Sequence, residues 1–223
     1  MNDKTLSDTA YEFPCNLCSS TSHRLLFVKK NFPIVKCLSC GLVSTVLPAD
    51  FNPLTIYDET YFKGGQVDGY GDYESSETIL RAEFRKIVRE ILKYIPQPQG
   101  KKLLELGSAY GYFLSEASVY FTCYGVEVST AGVQKSEALG LRVFEGALTE
   151  DVLRETGKVD VVVMLDVIEH LTDPMGTLEL AYSALNPGGV ILIVTGDHGS
   201  LLSRVMKANW RLMTPPQHTF FFS

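Results

Sequence analysis

The chain has 223 residues, 45% of them hydrophobic, which is enough for one α/β core with a small module attached. A formal net charge of −6 gives no basic footprint for a nucleic-acid backbone. No stretch approaches the roughly 20 uninterrupted apolar residues of a membrane span, and the polar opening Met1–Asp8 lacks a signal core, so the expectation is a cytoplasmic chain.

In chain order, residues 1–10 read as a polar tail and 11–47 as a compact block built on two Cys-x-x-Cys pairs, with Leu25–Val28 and Ile34–Lys36 as a short hairpin. Residues 48–73 form an irregular linker rich in Pro, Gly and Tyr. Ile79, Leu80, Phe84, Ile87, Val88, Ile91, Leu92 and Ile95 recur at helical spacing over 74–95, and Pro96–Gly100 ends that helix. Residues 74–223 read as the main domain. Strands are predicted at 101–106, 121–127, 141–145, 159–165 and 190–195. Helices are predicted near 110–118, 130–139, 149–155, 174–185 and 199–207. Asp173-Pro174 is a helix start, and Asn186-Pro187-Gly188-Gly189 is a stop and turn. Apolar runs such as Val159–Leu165 fit parallel strands covered on both faces, so the fold class is an open, doubly wound, mostly parallel α/β sheet.

Cys15 and Cys18 are followed, after 18 residues, by Cys37 and Cys40. That spacing is a two-knuckle metal site. Four thiolates suit tetrahedral zinc and leave no open position, so the expected zinc is structural. A redox dithiol would need only one such pair. Cys123, alone in an apolar strand, reads as a small buried hydrophobe.

The strand Leu103-Leu104-Glu105-Leu106 runs into Gly107-Ser108-Ala109-Tyr110-Gly111, and the next strand ends in Glu127-Val128-Ser129. Strand, glycine turn, helix, strand and acid outline a nucleotide-type crevice. The glycine spacing is too short for a dinucleotide fingerprint and suits a nucleoside bearing an amino-acid tail. Backbone amides at the turn would meet that tail's carboxylate, Glu105 its ammonium, and Glu127 the ribose hydroxyls. Glycines after strands are also common for purely structural reasons.

Glu105–Gly111, Gly125–Ser129, Asp166-Val167-Ile168-Glu169-His170-Leu171-Thr172-Asp173-Pro174 and Leu185–Gly189 together resemble the successive motifs of class I S-adenosylmethionine-dependent methyltransferases. The resemblance covers about residues 74–195 and implies a Rossmann-like sheet. It implies S-adenosylmethionine held by Glu105, Gly107, Ser108, Ala109, Gly111, Glu127, Val128 and Asp166. Ala109 stands where the family usually has glycine, which is tolerable if its φ stays negative. The four-cysteine ribbon, Tyr57–Phe62 and Gly69–Tyr73 resemble the subset acting on sugars and other small metabolites. There the aromatic stretch, with Tyr61 as the candidate, lies over the cofactor; packing of a linker against the sheet is the alternative.

Asp166, Glu169 and His170 follow the fourth predicted strand, where the switch-point crevice opens. His170 is a candidate base with a near-neutral pKa, or else a helix-start histidine satisfying backbone. Gln217-His218 is similar to the Glu-His-aromatic segment of sugar C-methyltransferases; glutamine there weakens a C-methyl reading and leaves His218 as the proton acceptor. Trp210 and Arg211 are expected to line the acceptor pocket, with His198 a lesser candidate. The family's closing antiparallel hairpin has no sequence left after Ser223, so a shortened chain or completion by a second copy in a homodimer is expected. The leading expectation is methyl transfer to a small-molecule acceptor, a sugar or nucleotide-sugar. RNA methylation and a non-catalytic cofactor-binding scaffold are the rivals.

Overall fold

The structure is a computed structural model that describes residues 10–52, 56 and 73–223. Tyr61, the Tyr57–Phe62 stretch and Gly69–Asp72 lie outside the described residues. The chain divides into two compact units. Of the described residues, one gathers 10–52, 166–175 and 195–223; the other gathers 56, 73–165 and 176–194.

The second unit is built on a parallel sheet. Helix α1 (Glu77–Tyr94) precedes β5 (Lys102–Leu106), α2 (Tyr112–Ala117), β6 (Thr122–Glu127), α3 (Thr130–Ala138), β7 (Val143–Glu145), α4 (Glu150–Thr156), β8 (Val159–Leu165), α5 (Pro174–Ala184) and β9 (Leu185–Val194). The strand order is β7-β6-β5-β8-β9, all pairs parallel, so the order reverses between β5 and β8. Residues Val159–Met164 of β8 are all buried, as a strand covered on both faces requires. Val88, Ile91, Leu103, Phe113, Leu114, Val161 and Val163 form one apolar cluster, which is why α1 shows its apolar stripe. At the N-terminal end of α1, Arg81 donates to Glu77 one turn earlier at 2.7 Å and to Glu116 at 3.1 Å.

The predicted turn Asn186–Gly189 is a correction. These residues lie inside β9 as a bulge, because Val159 pairs with Leu185 while Val161 pairs with Val190. Asp160 holds the bulge. Its carboxylate accepts from Asn186 Nδ2 (3.1 Å), Lys102 N (2.9 Å) and Lys101 Nζ (3.1 Å). Although burial acts to raise the pKa of Asp160, these donors outweigh it and hold the carboxyl below its usual range.

The first unit contains β1 (Ala10–Glu12), β2 (Ser22–Lys29), β3 (Phe32–Cys37) and β4 (Val43–Thr45), antiparallel in that order. The predicted hairpin is present as β2 and β3. Its fifth strand was not foreseen: β10 (Phe220–Phe221) pairs antiparallel with β4, placing Phe220 opposite Ser44 and Phe221 opposite Val43. Spatially, the stretch expected as one domain over 74–223 is shared between the two units. Residues 166–175 and 195–223 belong to the ribbon unit, because Trp210, Met213 and Phe221 bury against Ile34 and Val43. The predicted helix at 199–207 is confined to α6 (Leu201–Met206). Among the described residues, β9 ends the parallel sheet with no antiparallel strand beyond it, and no helix is long and apolar enough to cross a membrane.

Candidate functional site

Three groups of predicted residues fall into three local arrangements. The first is the cysteine cluster. Cys15 Sγ lies 3.6 Å from Cys40 Sγ and Cys18 Sγ 3.6 Å from Cys37 Sγ, and all four sulfurs lie within 4.8 Å of one another. A tetrahedral ion with metal–sulfur bonds of about 2.3 Å would set its sulfurs roughly 3.8 Å apart, so the four side chains fit such an ion. The knuckles are shaped by local backbone. Ser19 N donates to Cys15 O and Gly41 N to Cys37 O, with Ser19 at φ 59° and Gly41 at φ 85°. The glycine was legible in the sequence; the serine in the equivalent place was not.

The second arrangement is the turn after β5. Gly107, Ala109 and Gly111 all have positive φ, at 70°, 47° and 74°. The expectation that Ala109 keeps a negative φ is thus overturned. A Cβ in the left-handed region costs about 1–2 kcal/mol, and a carboxylate offsets it. Glu127 Oε2 accepts from Ala109 N at 2.7 Å, while Oε1 accepts from Ser129 N at 2.8 Å. The expected cradle of free amides is also modified. Gly107 N and Ser108 N both donate to Val126 O, and Gly111 N to Ser108 O, so the chain itself takes these donors. Helix α3 presses on the turn from the side. Ser136 Oγ donates to Ala109 O at 3.1 Å, and a Cβ on Gly132 would come within 2.9 Å of that same oxygen and of Glu127 Cγ. Neither residue was singled out from the sequence, although a glycine inside a helical pattern is itself a packing signal.

Two polar side chains at this turn are buried. Glu105 Oε2 and Ser108 Oγ are buried and have no hydrogen-bond partner among the described residues. Burial, with the Glu127 charge adding to it, pushes the Glu105 carboxyl well above the usual carboxylate range. A cation beside Glu105 would restore its charge. The ammonium of an amino-acid tail fits that demand, and Glu127 retains lone pairs for hydroxyls. Cys123, partly buried in β6, has its thiol pushed up to about 12 by burial, as expected of an inert side chain.

The third arrangement lies in the ribbon unit. Asp166 adopts φ 52°, an uncommon conformation for a residue other than glycine. A short 3-10 turn, Ile168–His170, follows, and one side-chain atom from each of Glu169, His170 and His218 lies within 4.8 Å of the others. The His170 and His218 rings meet edge to face at 4.6 Å. The main chain holds this group together. Thr219 N donates to Glu169 O at 2.7 Å, and His170 Nδ1 donates to the Gln217 carbonyl oxygen at 3.0 Å. A carbonyl can only accept, so the proton sits on Nδ1.

The near-neutral pKa expected for His170 does not hold: burial, helped by the neighbouring His218, lowers it to about 3. Burial pushes Glu169 up to about 7, and its Oε2 has no partner among the described residues. Asp166 is raised by burial against the opposing charge of Arg211. His198 and Trp210 meet edge to face at 5.9 Å, and Trp210 is buried in the core of this unit rather than lining an open surface.

With this geometry in view, the profile of the family described as "Methyltransferase domain" matches residues 78–223. The chain is 34% identical over 119 residues to a ubiquinone biosynthesis O-methyltransferase of Caulobacter sp. (strain K31), covering 49% of this chain and 44% of that one. It is 27% identical over 130 residues to the enzyme of that name from Cupriavidus pinatubonensis, covering 54% and 52%. The chain thus spans about half the length of these curated relatives. Among solved structures, a SAM-dependent methyltransferase from Archaeoglobus fulgidus superposes with a TM-score of 0.47 at 22% identity, covering 64% and 66%. An amino pentose methyltransferase from Micromonospora echinaspora gives 0.44 at 20%, covering 52% and 50%. The profile match spans well over half of the chain, so this chain belongs to the methyltransferase domain family.

Proposed function

We propose that the chain transfers a methyl group from S-adenosylmethionine to a small-molecule acceptor of sugar or nucleotide-sugar type. One observation carries this reading: the Gly107–Gly111 turn at the reversal of strand order, with Glu127 bonded to Ala109 N and Ser129 N and with Glu105 and Ser108 buried beside it. In this reading Glu127 and Val128 hold the ribose side. Glu105 meets the ammonium, and Gly107, Ser108, Ala109 and Gly111 complete the cradle. When bound, the cofactor supplies a sulfonium methyl open to in-line attack.

The acceptor must lose a proton as it attacks. His170 is held neutral, with Nδ1–H committed to Gln217 O, so it orients its neighbours rather than taking that proton. We assign the proton to His218, with Glu169 beside it able to share charge near neutrality. Gln217 cannot act as a carboxylate base, which supports a hydroxyl or amine acceptor over carbon. The ribbon's four cysteines are assigned to a structural zinc ion, supported by their spacing and their sulfur separations. The net charge of −6 argues against the rival RNA substrate.

The test is calorimetric titration with S-adenosylmethionine, then a methyl-transfer assay on a panel of nucleotide-sugars, free sugars, phenols and transfer RNA. Binding followed by transfer to a sugar-type member supports the proposal. Absence of binding at millimolar cofactor would sink it, binding without transfer would leave a cofactor-binding scaffold, and transfer to RNA would install the rival.

A further inference from the structure

Thr45, the last residue of β4, is 5% exposed and grips the segment carrying His218 at two points. Its hydroxyl donates to the His218 carbonyl oxygen at 2.7 Å, and its amide donates to Thr219 O at 2.8 Å. One residue later, β10 pairs with β4, and Phe220 packs in one cluster with Cys15 and Cys37, flanked by Phe222. On its other side the same segment holds the catalytic candidates: Gln217 O accepts the His170 Nδ1–H, and Thr219 N donates to Glu169 O. Residues 217–219 are therefore clamped between a ribbon strand and the Ile168–His170 turn. The ribbon reads as the frame of the His218 site and not as an appendage.

We propose that Thr45 is a positioning residue for methyl transfer, its hydroxyl setting the main chain of His218 and so the reach of the imidazole. This rests on the proposed role of His218 as proton acceptor. Valine has the shape of threonine without the donor, so Thr45→Val removes the grip with little change in volume, and Thr45→Ser keeps the hydroxyl. A displacement of about 1 Å at a reacting group can lower turnover about 100-fold.

The test uses the whole chain labelled on histidine, whose four histidines give a tractable NMR spectrum. Thr45→Val is expected to shift the His218 ring resonances and to lower turnover about 10- to 100-fold on the best panel acceptor, with S-adenosylmethionine affinity unchanged. Thr45→Ser is expected to restore both. Wild-type resonances and turnover in Thr45→Val would overturn the inference, as would a serine variant as displaced as the valine one. Should Thr45→Val fail to fold, the wild-type protein is treated with a zinc chelator. A shift of the His218 ring resonances on metal loss, reversed by zinc, supports the ribbon frame, and unchanged resonances overturn it. Failure of the wild type to methylate any panel member, with the resonance changes still present, would instead strike the proposed methyl transfer on which this inference rests.

Discussion

Glu169 offers the sharpest physical test. It is 3% exposed, and burial raises its carboxyl pKa from the ordinary 4.5 to about 7. The sign follows from linkage: in the unfolded chain this group loses its proton near 4.5, in the folded chain only near 7. Between those values the folded state binds more protons, so stability falls as pH rises through this window and then levels off. The gap corresponds to about 3 kcal/mol at about 1.36 kcal/mol for each step of one in pKa. Glu169→Gln, neutral at every pH, should lack this slope. Denaturant unfolding of both proteins across pH 5 to 8 should show the wild type losing about 2–3 kcal/mol relative to the variant. A pH-independent difference added on top of that slope would leave the reasoning intact. Parallel curves over the whole range would refute it, showing Glu169 ionised at ordinary pH through a donor or solvent.

Other expectations follow from the turn and the ribbon. Gly111 and Gly140 share φ values near 75°, but a Cβ on Gly111 would meet Leu141 Cδ1 at 2.5 Å and Ser136 Oγ at 2.8 Å, whereas Gly140 faces open space. Gly140→Ala should cost about 1 kcal/mol in unfolding free energy and Gly111→Ala about 2–4, and equal costs would show that crowding is absent. Glu127→Ala should weaken S-adenosylmethionine binding by about 1.5–3 kcal/mol in calorimetry, and an unchanged affinity would place the ribose elsewhere. Elemental analysis of the purified chain should find one zinc per molecule. A chelator should remove it while cofactor affinity persists, because the cysteines and the turn belong to different units; four freely titrating thiols without zinc would contradict the ribbon assignment.

Features encoded over short spans could be read directly. The knuckles depend on cysteine spacing and a turn glycine, so Cys15, Cys18, Cys37 and Cys40 come together as their spacing predicts. The strand Val159–Leu165 has the same bounds in the structure as in its apolar run, because a strand buried on both faces needs little beyond hydrophobicity. Glu127 could be placed at the end of its strand, yet its two bonds to Ala109 and Ser129 amides could not, since they depend on how the turn closes. That closure puts Ala109 at positive φ, where side-chain preference alone would not put it.

The sequence by itself determined the parallel α/β sheet, the glycine turn with its carboxylates and the four-cysteine module, since each rests on local periodicity or spacing. Only the tertiary structure decided where the last segment goes. The Phe220-Phe221-Phe222 run marks a short apolar strand, but nothing local says that its partner is β4, some 175 residues earlier. The choice is made by the unpaired edge of β4 and by burial of Trp210, Met213 and Phe221 against Ile34 and Val43. Such pairings are long-range, and they alone bring His218 to His170 and Glu169.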